Sequence, residues 1–238
     1  GKYVNVKGYP RGVSFLWGAD FFTHDLPHFV FAPSESYLAC LSYFTTLKRL
    51  DYPLKYLVCD DNQAIFQAAR DIFPEVVIQL CLNHFLENIR RDLKVRSEVR
   101  YREFFAEMEA IFKERLNLVE YSTRLRELYR KFRLERKAVN WIDTLIRRKE
   151  ELTAYQKFPI APRTTNLIEG YNSHLEGRLH ALKGFQSFAS ARLWLNGYVL
   201  RRRLKKFTDC EGYFKPLNGT CSLFHTLKRG LLLPQLFT

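Results

Sequence analysis

The sequence predicts an α/β protein: an antiparallel meander passes into parallel strands, and an all-α insertion precedes a last functional helix. Three observations predict it. Runs rich in β-branched and aromatic residues fill the first thirty positions, strands and helices alternate from there to residue 93, and from about residue 97 to 155 every apolar pattern has helical spacing. With 238 residues, 47% hydrophobic and 26% charged, the chain can bury a sizeable core.

"YVNVKG" (3–8), "VSFLWGADFF" (13–22) and "HFVFA" (28–32) read as three strands of the meander. Ser34 can cap a helix in which Tyr37, Cys40, Leu41, Phe44 and Leu47 recur at helical spacing, and Pro53 stops it. "LKYLVC" (54–59) is a buried strand. Asn62 or Asp61 can cap the next helix, with Ile65, Ala68, Ala69 and Ile72 as its apolar stripe. "VVIQL" (76–80) is a fifth strand and "CLNHFLENIRRDL" (81–93) a third helix. The order β-β-β-α-β-α-β-α describes one mixed sheet with right-handed crossovers in its second half. The expected organisation is a first core segment over 1–96, a helical insertion over 97–157, and a second core segment over 158–238, where "TNLIEGYNSHLEGRLHAL" (165–182) begins another helix.

The formal charge of +13 is unevenly placed. Residues 1–84 carry 7 Lys+Arg and 8 Asp+Glu (net −1), residues 85–158 carry 19 and 13 (net +6), and residues 159–238 carry 12 and 4 (net +8). Such a field favours a polyanion, most plausibly nucleic acid, because each phosphate neutralised releases counterions; a basic surface kept for solubility is the plainer alternative. Five cysteines without paired spacing fit a reduced, intracellular protein better than a disulfide scaffold. The chain opens on Gly1 rather than Met, as a fragment would, and has neither a secretory leader nor a run able to span a bilayer.

In a sheet with parallel strands, functional side chains collect where strands end and helices begin. Asp60 directly follows "YLVC" and can project from the strand's carboxyl edge, whereas Asp61 falls into the turn; both acids could equally serve as helix caps. A second carboxylate, Glu169, shares a polar helix face with Asn166, Asn172 or Ser173, Glu176 and His180, a face that either lines a cleft or is simply solvated. "CLNH" (81–84) is a C-x-x-H pair, but no second Cys/His pair has ligand spacing, so packing by Cys81 and hydrogen bonding by His84 fit better than structural zinc.

Together these segments resemble a known family. "VCDDNQAIFQAARDIFPEVVIQLCLNHFLENIRR" (58–91) resembles the core of Mutator-like transposases and related bacterial insertion-sequence transposases, and "RTTNLIEGYNSHLEGRLHALKGF" (163–185) resembles their "T-N-x-x-E-G-x-N" helix. "PLNGTCSLFHTL" (216–227) is similar to their "N-G-x-S-P" tail, with Leu223 where Pro is usual. The resemblance implies an RNase H-like catalytic domain of the DDE type, whose acids hold two Mg²⁺ ions, with Mn²⁺ an alternative, for DNA cleavage and strand transfer. Asp60 matches the second aspartate and Glu169 the glutamate, with Cys81, His84, Asn166 and Asn172 in support. The first aspartate would immediately precede Gly1, so that the chain starts just inside its active site; Asp20 is the rival within the chain, and Asp61 a weaker candidate beside Asp60.

Arg163, Arg178, Lys183 and the arginines of "RRRLKK" (Arg201, Arg202, Arg203) are expected to bind DNA phosphates. The implied partners are transposon-end and target DNA and further copies of the chain, with no membrane. The implied location is intracellular: cytoplasm or nucleoid in a bacterium, nucleus in a eukaryote. Two further readings fit the same residues: a DNA-binding protein derived from such a transposase that no longer catalyses, and an RNase H-like nuclease or junction resolvase.

Overall fold

The computed structural model describes residues 1–228 and 230, and the chain packs as two units. The first comprises Gly1–Lys55, Gln63–Val76 and the chain from Asn166 onward; the second comprises Tyr56–Asn62 and Val77–Thr165.

In the first unit β1 (Lys2–Val6), β2 (Tyr9–Trp17) and β3 (Phe29–Ala32) form an antiparallel sheet with β2 in the centre. From Val13 to Trp17 every residue of β2 is buried, because both faces of the sheet are covered. Val13, Phe15 and Trp17 pack with Tyr171 and Leu175 of α8 (Asn166–Leu182) and with Ala191, Leu195 and Val199 of α9 (Phe188–Leu204). Ser14 points the other way, toward Glu35 near the start of α1 (Tyr37–Arg49), which packs against α2 (Gln63–Ile72). α8 ends in left-handed backbone at Lys183 (φ 53°) and Gly184 (φ 104°). A side chain at Gly184 would come within 3.3 Å of the Asn5 carbonyl oxygen, and that closeness lets Phe185 exchange backbone hydrogen bonds with Asn5 and Lys7 of the β1 segment. α10 (Ser222–Lys228) closes the described chain.

In the second unit β4 (Tyr56–Cys59) and β5 (Val77–Leu80) form a parallel pair. Around it lie α3 (Leu82–Asp92), α4 (Arg102–Lys113), α5 (Leu118–Phe132), α6 (Arg136–Arg147) and the short α7 (Lys149–Leu152). Phe104, Met108, Leu128, Ile142 and Leu145 are essentially fully buried among them. Gln79, the polar residue inside β5, is fully buried and fully used: it accepts from the Tyr155 amide (2.9 Å) and donates to the Leu80 and Leu152 carbonyls (2.8 and 3.3 Å).

Three expectations need correction. The single mixed sheet is two sheets, since β4 and β5 pair with each other and the meander strands pair among themselves. The second strand stops at Trp17 rather than running to residue 22, because the Asp20 carboxylate captures the Thr23 amide (2.7 Å) and hydroxyl (2.9 Å) and turns the chain. The cap of α1 is Ser36 rather than Ser34: Ser36 is the last extended residue, and its hydroxyl accepts from the Ala39 amide at 3.3 Å. Among the described residues no helix is long and apolar enough to cross a membrane.

The meander also contains a pH-sensitive group. His28 lies flat against Tyr43, ring centroids 5.9 Å apart, and burial pushes its pKa down to about 4. Its folded form thus resists protonation, while the unfolded chain takes up a proton near pH 6.5, so stability is intact above that value and declines as pH falls toward 4. After allowance for partial exposure the loss is roughly 2 kcal/mol. Denaturant midpoints measured from pH 7 to 4 should fall less steeply for His28→Phe than for the parent chain.

Candidate active site

Parallel register assembles the most chemically loaded cluster of the second unit. Cys59 pairs with Leu80, and the Cys81 amide donates to the Cys59 carbonyl at 2.9 Å, so the residues leaving the two strands, Asp60 and Cys81, emerge side by side. Cys81 is the N-cap residue of α3, and one helical turn places His84 over the same edge. His84 Nδ1 stands 2.6 Å from Asp60 Oδ1, with the His84 and Asp60 side chains 42% and 54% exposed. Beneath them Thr165 donates to Cys81 Sγ from its amide (3.4 Å) and its hydroxyl (3.2 Å), and the same hydroxyl lies 3.4 Å from His84 Nδ1. One donor atom each from Asp60, Cys81 and His84 falls within 4.8 Å of the others. Cys59 takes no part: it is buried inward, and burial, reinforced by Asp60, pushes its thiol pKa up.

The other candidate acids have different employment. Asp61 accepts two hydrogen bonds from Arg148 at the end of α6, at 3.0 and 3.2 Å. Asp20 is committed to its turn with Thr23 and also accepts from the Tyr52 hydroxyl, which makes it an architectural acid rather than an open metal ligand.

Glu169 lies in the first turn of α8, in the first unit, with its side chain exposed and no ion pair or hydrogen bond recorded for its carboxylate among the described residues. Asn166 is exposed on the same helix. Asn172 departs from expectation: it is buried and accepts the Trp17 indole N–H at 2.9 Å, tying α8 to the sheet, and Ser173 takes the open face instead.

The basic residues separate in the same way. Arg178, Lys183 and Arg201 are exposed, and Arg202 is half-buried with its guanidinium 5.0 Å from the centre of the Tyr171 ring. Arg163 is turned back to the C-terminal end of α4, where it donates to the carbonyls of Phe112 (2.9 Å) and Glu114 (3.2 Å). Arg203 is 1% exposed and locked onto Asp25, so a phosphate cannot reach it. Its phase was readable: Leu195, Val199 and Arg203 stand four apart, so the arginine continues the apolar stripe of α9. A cleft of about 400 Å³ in this unit, lined by Arg202, Lys205, Lys206, His174, Phe207 and Asp209 among others, adds His174 and Phe207, which the sequence pattern did not single out.

The model of the Mutator family of transposases matches residues 30–204, most of the chain and both Asp60 and Glu169. The chain belongs to the Mutator transposase family. No curated protein gives a significant match to it.

Proposed function

We propose that this chain is the catalytic part of a DNA transposase that cleaves and joins strands in the presence of Mg²⁺, on an RNase H-like core of the DDE type. Asp60 and Glu169 are two of its metal-ligating acids. The observation that carries the reading is Asp60: an accessible carboxylate at the point where a parallel strand gives way to a loop, in a chain whose family match spans it. Both acids offer accessible oxygen donors, which suits a hard cation such as Mg²⁺. Bound Mg²⁺ would supply activation of water or a DNA 3′-hydroxyl and stabilise the departing oxygen.

The protein's own groups do the rest. His84 steadies the Asp60 carboxylate by hydrogen bonding, and exposed Arg178, Lys183 and Arg201 hold phosphates without reading bases. Transposon-end and target DNA are the substrates, and copies of the chain work together on paired ends inside the cell. In a test on the full-length protein, Asp60→Ala and Glu169→Ala should still retard transposon-end DNA in a gel yet fall to background in nicking and joining with Mg²⁺. Cleavage retained in both variants would overturn the reading, and hydrolysis without any joined product would point to a nuclease.

A further inference from the structure

We propose that Asp60, Cys81 and His84 form a binding site for one borderline-soft divalent cation of the zinc class, distinct in ligand chemistry from a Mg²⁺ site. The juxtaposition carries the inference: three side chains brought together by one strand pair and one helical turn offer a sulfur, a nitrogen and an oxygen within 4.8 Å of one another. Mg²⁺ prefers oxygen ligands in octahedral array, whereas Zn²⁺ takes Cys, His and Asp in tetrahedral array, commonly with three protein ligands and one open position. The surroundings are those of a supported ligand set. Two donors from Thr165 aim at Cys81 Sγ, the pattern of outer hydrogen bonds that holds a thiolate in place. Asp60 and His84 are exposed enough for an ion to enter, and binding would release the Cys81 thiol proton to solvent, while a neutral His84 would bind through Nδ1 with its proton carried on Nε2.

The spacing of the C-x-x-H pair alone argued against zinc because no second pair follows it. The third ligand instead comes from the neighbouring strand, 21 positions upstream of Cys81.

A regulatory consequence rests on the proposed catalytic reading: zinc at this site would occupy Asp60 and slow Mg²⁺-dependent cleavage. Metal-free protein titrated with Co²⁺ should develop a thiolate-to-cobalt charge-transfer band that saturates at one ion per chain, is displaced by Zn²⁺, and is not displaced by an equal amount of Mg²⁺. Cys81→Ser should abolish the band. His84→Ala, at a more exposed position, should weaken Co²⁺ binding at least about tenfold. No band, or a band that survives in Cys81→Ser, would overturn the proposal. This spectroscopic test needs no DNA and no turnover, so it fails or succeeds separately from the nicking assay. In that assay, Zn²⁺ should lower the parent rate and leave the residual rate of Cys81→Ser unchanged.

Discussion

Asp25→Ala is expected to lower the free energy of unfolding by about 3–5 kcal/mol, seen as a lower urea midpoint at unchanged slope. The carboxylate and the Arg203 side chain are each 1% exposed. Arg203 donates from Nε to Oδ1 (2.9 Å) and from Nη2 to Oδ2 (2.7 Å), the Ser222 hydroxyl donates to Oδ1 (2.9 Å), and the Thr226 hydroxyl donates to Oδ2. Removing the acid strands a buried guanidinium and the Thr226 hydroxyl, while the Ser222 hydroxyl keeps the Arg203 carbonyl at 3.3 Å, and the desolvation of that cation sets the size of the loss. Adding Arg203→Met to Asp25→Ala should recover part of it, since the double variant buries neither charge. A loss below about 1 kcal/mol for Asp25→Ala would mean that water reaches the pair and that the network is a surface one.

Phe15→Ala should cost a similar amount, about 3–5 kcal/mol. Phe15 is fully buried at the middle of the central strand, with ring centroids 4.7 Å from Trp17 and 4.8 Å from Phe29. Its deletion removes both ring contacts and opens a cavity in the core it shares with Leu175 and Leu195, and α8 cannot move onto the pleat without straining the Trp17–Asn172 hydrogen bond. Phe22→Ala is the control: that ring is 40% exposed, and the change should stay within about 1 kcal/mol in the same urea titration.

Much of this architecture was legible because local chemistry and global packing agree. All five strands and the helical character of the stretch from 97 to 155 follow from composition and period, and Asp60 could be separated from Asp61 by its place as the first residue out of a strand. What escaped depends on which neighbour a side chain meets. Asn172 and Ser173 are adjacent polar residues, and only the approach of Trp17 decides which turns inward. Arg203 sits in a run of cations whose composition reads as a solvated face, yet helical phase drives it into the core, where an acid 178 residues away makes burial tolerable. Asp20 looked like a free acid in a strand because nothing local reveals that Thr23 and Tyr52 will claim it. The Asp60–Cys81–His84 cluster was invisible to spacing rules, since strand pairing rather than sequence proximity supplies its third member.

The discontinuity of the first unit bears on how this chain acquires its structure. Its sheet is complete within the first 32 residues, but the helices that cover one face begin at residue 166, and the partners of Asp25 lie 178, 197 and 201 positions downstream. Contacts of such sequence separation require large loops to close before they yield any stabilisation, which slows folding. On a ribosome the meander emerges long before α8 and α9, with Val13, Phe15 and Trp17 uncovered in the interval. The sheet is therefore the segment most exposed to misassociation during synthesis, and the late-arriving C-terminal helices are what end that exposure.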